Sequence, residues 1–162
     1  MKIPAAILTV SDSCHKGLRQ DASSPRLRAV LVASGFEVVE TKVVPDDIER
    51  IASALRELSA VARFVVTTGG TGIASRDVTP EATRAVCERV LDGVSEMMRA
   101  EGLKHTPFAV LSRGVCATLG KSLVLNLPGS PAGAEQSLTP VLSLVAHALD
   151  LLAGKTEHSV AQ

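Results

Sequence analysis

The stretch that most constrains this chain runs from Phe64 to Glu81. It opens with Phe64-Val65-Val66-Thr67, an apolar run rich in β-branched residues, which reads as a buried strand. It then breaks at Thr68-Gly69-Gly70-Thr71-Gly72. Glycine has no Cβ, so this backbone can turn sharply and bring its N–H groups close to a ligand. The threonines add hydroxyls. A helix start follows, with Thr79 placed as N-cap, Pro80 at the first helical position and Glu81 in the first turn. Strand, glycine loop and helix in that order build an anion site at the carboxyl edge of a sheet. Arg76 and Asp77 lie between loop and helix, where a cation can meet phosphate and a carboxylate can meet a metal ion. A plain turn would also use glycines, but it would not need the hydroxyls, the charged pair and the marked helix start. The loop is not a Walker A sequence, because no Gly-Lys-Ser/Thr follows, and it lacks Gly-x-Gly-x-x-Gly spacing.

The other strands end in the same manner. Ala5 to Val10 is an apolar run closing at Ser11-Asp12-Ser13, read as a loop. Phe36 to Val44 is rich in Val and Thr and closes at Pro45-Asp46-Asp47. Either aspartate can cap the helix that follows, whose apolar face is Ile48, Ile51, Ala52, Leu55 and Leu58, or can line a ligand edge. Gly120-Lys121 reads as a hairpin turn between Val115–Leu119 and Ser122–Leu125, and the second arm runs into Asn126-Leu127-Pro128-Gly129-Ser130-Pro131. Phe108 to Ser112 fits a helical turn or a strand equally. The helix after the glycine loop is expected to run from Pro80 to about Val90, and Thr139 to re-cap the last helix at Pro140.

Strands alternating with helices indicate a three-layer α/β/α fold with a mostly parallel sheet and one antiparallel hairpin arm. In such a sheet ligands collect beyond the carboxyl ends of the strands, so the polar strand ends converge on one edge for a topological reason. A length of 162 residues suits one domain, taken as 1–154, with 155–162 a frayed tail. Lys+Arg and Asp+Glu are 17 each, so no global field favours nucleic acid or a membrane surface. Aromatics are 2%, too few for a base-stacking platform. The three cysteines, with no Cys-x-x-Cys, suggest neither a disulfide framework nor a zinc site. Neither a leader nor a membrane-spanning run is read, so a cytoplasmic protein is expected.

Six segments, in order, resemble the MogA/MoaB family of molybdenum-cofactor biosynthesis. They are Leu8-Thr9-Val10-Ser11-Asp12, Val44-Pro45-Asp46-Asp47, Thr67 to Gly72 with Arg76 to Thr83, Leu103 to Pro107, Leu111-Ser112-Arg113 and Asn126 to Pro131. The resemblance implies adenylylation of molybdopterin from MgATP with release of pyrophosphate. It implies Asp46 and Asp77 as essential carboxylates, expected to bind Mg²⁺, with Asp47 left as a cap. Ser11 and Asp12 line the ligand edge on this reading, and Thr68, Gly69, Gly70, Thr71 and Gly72 cradle phosphate. Ser112, Arg113, Asn126, Pro128, Gly129 and Ser130 line the pterin and nucleotide pockets. The resemblance further implies a homotrimer, sometimes a hexamer, and hand-off to a molybdate insertase. The alternative is a MoaB-type protein that binds molybdopterin without catalysis. Ser13 and Ser24 depart from the family pattern, which often has Arg and Gly there, and so touch the role of the first loop.

Overall fold

Residues 1–155 are described by the computed structural model. The expected frayed tail lies outside the described residues from Thr156 onward. Six strands form one sheet: β1 (Ile3–Val10), β2 (Phe36–Val44), β3 (Phe64–Thr68), β4 (Arg89–Val90), β5 (Cys116–Leu119) and β6 (Ser122–Leu127). Their order is β2-β1-β3-β6-β5-β4. The β1–β2, β1–β3 and β3–β6 pairs are parallel, whereas β5 is antiparallel to both β4 and β6. Only β5 therefore runs against the rest, which is the mostly parallel sheet with one reversed hairpin arm that the chain order implied.

Strands covered on both faces must be apolar on both, and the alternation of side chains sorts them. Ala5 and Ile7 of β1, Phe64 and Val66 of β3, and Leu123, Leu125 and Leu127 of β6 join one core cluster. It is completed by α2 (Ser23–Ala33), α5 (Asp92–Leu103), α6 (Pro131–Leu138) and α7 (Leu142–Leu152), through residues such as Leu27, Leu31, Met98, Leu138 and Leu149. The intervening residues Ala6, Leu8, Val10, Val65 and Val124 face the opposite way. There they meet Ile51, Leu55 and Leu58 of α3 (Ile48–Val61) and Ala82 of α4 (Thr79–Val86). Each fully buried Leu, Ile or Phe contributes about 1.5–3 kcal/mol, so the two faces hold the layers together without aromatic stacking beyond Phe36 on Phe64.

Three local expectations give way to tertiary contacts, and one open choice falls to its helical alternative. Ser11 to Ser13 is not a loop: α1 (Asp12–His15) forms one helical turn, and the Ser11 hydroxyl accepts from the Cys14 N–H at 3.2 Å. α4 ends at Val86, not near Val90, because Cys87 turns extended and Arg89–Val90 pairs with Thr118 and Ala117. The ambiguous segment after Thr106 is a 3₁₀ helix, Pro107–Leu111. Thr139 is no N-cap for the last helix, whose N-cap is Val141; it is the C-cap of α6, opens a 3₁₀ turn and donates its hydroxyl back to the Glu135 carbonyl at 2.8 Å. Cys87 and Cys116 are packing residues, with thiols pushed up by burial to about 11 and about 12.

Leu125 is fully buried at the centre of the larger cluster. Leu125→Ala is expected to lower unfolding stability by about 2–5 kcal/mol, read as a shifted urea midpoint with an unchanged slope.

Candidate functional site

Parallel register brings four strand ends side by side: Val10 pairs with Val44, Thr9 with Thr68, and Thr68 with Leu127. The chain leaves each strand at this edge. Ser11, Pro45-Asp46, Gly69 and Pro128-Gly129-Ser130 therefore emerge around one open cleft of about 410 Å³. Asp46, Asp77, Thr68, Gly69, Gly70, Ser11, Gly129 and Ser130 line it together.

The glycine loop is shaped by crowding as much as by freedom. Gly69 turns at φ +103° directly over β1, and a Cβ there would sit 2.2 Å from the Val10 carbonyl oxygen. At Gly70, φ is +67° and a Cβ would lie 2.4 Å from the Thr79 hydroxyl and 3.1 Å from Asp46 Oδ1. Thr79 does not cap α4, whose N-cap is Val78. Its buried hydroxyl donates to the Gly69 carbonyl at 2.9 Å, and its N–H donates to the Gly70 carbonyl at 3.1 Å. The N–H of Gly69 returns to the Leu127 carbonyl at 3.1 Å. The N–H groups of Gly70, Thr71 and Gly72 have no acceptor among the described residues. Successive free amides in a tight loop are an anion cradle.

Arg113 holds the far end of this loop. Its N–H donates to the Thr71 carbonyl at 2.8 Å, Nε to the Gly72 carbonyl at 2.8 Å and Nη2 to the Asp77 carbonyl at 2.8 Å. Nη1 pairs with Glu81. The guanidinium is thus spent on the loop. Asn126 is likewise engaged: Nδ2 donates to Thr67 and Thr83 hydroxyls at 3.1 and 3.0 Å, and Oδ1 accepts from the Val115 N–H. It is 1% exposed, lines neither of the two larger hollows, and pins α4 to the sheet. The Thr68 hydroxyl donates to the Pro128 carbonyl at 2.7 Å, and Ser130 caps α6 by accepting from the Gly133 N–H at 3.1 Å. Ser112 lines a second, more apolar groove of about 390 Å³ with Thr71, Gly72, Ile73, Phe108 and Pro128. Gly129 and Ser130 border both hollows, which therefore meet there.

The carboxylates differ in their surroundings. Asp12 and Asp46 clasp each other: the Asp12 N–H donates to Asp46 Oδ2 and the Asp46 N–H to Asp12 Oδ1, both at 3.0 Å. Asp12 also takes a bidentate contact from Arg76 at 2.8–3.0 Å, which holds its carboxyl below the usual range. Its side chain is thereby committed and does not line the cleft. Burial pushes Asp46 up, helped by the charges of Asp12 and Asp77 and opposed by the Asp12 N–H. Asp77 Oδ2 accepts from the Ala74 N–H at 3.0 Å. Asp46 and Asp77 each retain Oδ1 without a hydrogen-bond partner among the described residues. Two half-free carboxylates beside loop amides that have no acceptor among the described residues fit Mg²⁺, which binds through one or two carboxylates and takes its other ligands from water and phosphate. A cation there would also relieve the unfavourable charge at Asp46. Among the described residues no cluster of three or more acidic, His or Cys side chains forms a ready-made metal cage. Asp47 accepts from the Arg50 N–H at 2.9 Å as the cap of α3.

Sequence reasoning left out the near wall of the cleft, which is built by Thr9, Cys14, Arg19, Asp21 and Ser23. Asp21 was legible only as part of a helix start. Its carboxylate accepts from the Ser23 and Ser24 amides at 3.1 Å each and from the Thr9 hydroxyl at 2.7 Å. Burial acts to raise its pKa, but the hydrogen bonds from Ser24, Thr9 and the two amides outweigh it and hold the carboxyl low. Ser23 donates to the Gly129 carbonyl at 2.9 Å, closing the wall onto the last strand end.

Residues 6–147 match the family described as the probable molybdopterin binding domain. The chain belongs to this family. Among its relatives is the molybdopterin adenylyltransferase of Helicobacter pylori, 37% identical over 94% of this chain and 89% of that protein. The molybdenum cofactor synthesis protein cinnamon of Drosophila melanogaster is 38% identical over 93% of this chain, which spans only 26% of that longer protein. The crystal structure of the molybdopterin biosynthesis enzyme MoaB from Thermus thermophilus superposes with a TM-score of 0.87 at 46% identity, covering 94% of this chain and 98% of that one. The mixed sheet described above is thus the fold of this probable molybdopterin binding domain family.

The raised pKa of Asp46 has a signed consequence. A carboxyl whose folded pKa lies above its ordinary 3.8 is destabilising once ionised, because the unfolded chain releases that proton more readily. Stability contributed at low pH is lost as pH rises from about 3.8 through the folded value. Asp46→Asn removes that loss. In metal-free buffer the stability of the variant relative to the natural protein is expected to increase from pH 3 to pH 7, measured by urea unfolding at each pH.

Proposed function

We propose that this chain catalyses the adenylylation of molybdopterin, using MgATP and releasing pyrophosphate, in molybdenum-cofactor biosynthesis. The observation that carries the reading is the meeting of Asp46 and Asp77 with the free Gly70 amide in one cleft at the carboxyl edge of the sheet. It is supported by the relative named molybdopterin adenylyltransferase, which this chain matches over 89% of its length.

In this reaction the terminal phosphate oxygen of the pterin attacks the α-phosphorus of ATP. The bond from that phosphorus to the bridging oxygen of the β-phosphate breaks, and pyrophosphate leaves with the bonding electrons. Such chemistry asks for positioning and charge neutralisation more than for a protein nucleophile. Mg²⁺, when bound, supplies charge neutralisation at the phosphates. Asp46 and Asp77 would hold it through their unpartnered Oδ1 atoms. The amides of Gly70, Thr71 and Gly72 would donate to phosphate oxygens and cost no reorganisation, since Thr79 and Arg113 already fix their direction. The more apolar groove along Phe108 and Pro128 suits the flat pterin, and Ser112 in its lining can meet a ring donor or acceptor. On this proposal Arg113 and Asn126 act through the backbone they hold.

The same proposal has the enzyme working in the cytoplasm as a homotrimer or hexamer, passing adenylated molybdopterin to a molybdate insertase. The second reading is a protein that holds molybdopterin without transfer, and the similarity to a structure named MoaB keeps it in view. Asp77→Asn separates the two. It is expected to abolish pyrophosphate release from ATP and molybdopterin, by at least about a hundredfold on the scale of lost transition-state electrostatics, while molybdopterin affinity stays near that of the natural protein. Absence of pyrophosphate from the natural protein, with molybdopterin bound, would favour the binding role instead.

A further inference from the structure

We propose that Arg19 binds a phosphate group of the substrate; this rests on the nucleotidyl-transfer reading above. The cleft is lined by three carboxylates, Asp21, Asp46 and Asp77, and Arg19 is the one cation among its described lining residues. The substrates of that reaction carry several negative charges, so an acidic cleft needs positive charge to admit them. Asp46 and Asp77 would share their charge with Mg²⁺, whereas Asp21 at the Arg19 end of the same lining segment would not.

The other nearby arginines are already committed. Arg76 is locked bidentate onto Asp12, and Arg113 bridges two loop carbonyls and Glu81. Arg19 makes no ion pair and no side-chain hydrogen bond among the described residues, although Asp21 stands two residues away. Asp21 turns its carboxylate inward to Thr9 and the α2 amides instead. That anchoring fixes the backbone just beyond Arg19, an exposed residue of the cleft lining. A planar fork of donors with permanent charge matches phosphate geometry.

The test is calorimetric titration of MgATP, pyrophosphate, AMP and molybdopterin into the natural protein and into Arg19→Ala, Arg19→Lys and Lys16→Ala. Lys16 is exposed on the same segment and lies outside the cleft lining. Arg19→Ala is expected to weaken the phosphate ligand by roughly tenfold or more, as for loss of a charged hydrogen bond. Arg19→Lys should restore part of it by supplying the charge without the fork. Lys16→Ala should stay within about twofold. Loss for MgATP and pyrophosphate puts Arg19 on the nucleotide, and loss for molybdopterin alone puts it on the pterin phosphate; both support the proposal. Unchanged affinity of Arg19→Ala for all four ligands overturns it, as does an equal loss in Lys16→Ala. A natural protein that binds neither nucleotide nor molybdopterin removes the adenylylation reading itself, whereas Arg19→Ala matching a natural protein that binds removes this inference alone.

Discussion

The close passage of Gly69 over the end of β1 is the contact on which the site depends. The Val10 carbonyl occupies the space a Cβ at Gly69 would need, with only 2.2 Å between them. Any side chain there must lift the loop off the sheet, in a backbone conformation that L residues rarely adopt. Lifting it would take the Gly69 carbonyl away from Thr79 and the Gly69 N–H away from Leu127. The free amides that follow owe their direction to those two ties. Arg113 then spans Gly72 and Asp77, so the amide cradle and the carboxylate at the other end of the loop move as one piece.

The cleft is costly to the unliganded protein. Asp46 is half-buried, close to Asp12 and Asp77, and its carboxyl is driven up as a result. The Arg76 charge opposes this only in part, since its guanidinium is held bidentate on Asp12. A charge left only partly relieved is typical of groups shaped for a task rather than for stability. On the proposed reading it would also give a bound cation a share of its affinity, since binding would remove a repulsion already present in the folded chain. Asp21 shows the contrast. It is half-buried as well, but hydroxyl and amide donors satisfy it, and it serves to anchor the first loop.

Much of the fold was legible because buried parallel strands announce themselves. The runs at Ala5–Val10, Phe64–Thr67 and Leu123–Leu125 are apolar on both faces, and each ends in small polar or glycine residues. Asp47 as the cap of α3 could be read from position alone. The roles of Thr79 and Arg113 could not. Thr79 has every local mark of an N-cap, yet its hydroxyl is taken by the Gly69 carbonyl, a partner ten residues back that only the loop's turn brings near. Arg113 reads as a cation available to phosphate, and only the meeting of Leu111–Arg113 with the glycine loop consumes it. The early end of α4 is of the same kind, since Arg89–Val90 gains ladder partners on β5 that local propensity cannot foresee.

The order of strands, glycine loop and helices was determined by the sequence itself, through apolar periodicity and backbone chemistry that act within a few residues. So was the gathering of Asp46, Asp77 and the glycines at one edge, because a parallel sheet sends all its strand ends the same way. Tertiary structure alone decided which polar groups stayed free. Hydrogen bonds across 34 to 106 residues committed Asp12, Arg113, Asn126 and Ser23, and left the Arg19 side chain, the Gly70 amide and one oxygen each of Asp46 and Asp77, all on residues that line the cleft, without partners among the described residues. The physical reason is that a donor or acceptor is spent by whatever it touches in space, and the chain's order records neighbours along the backbone only.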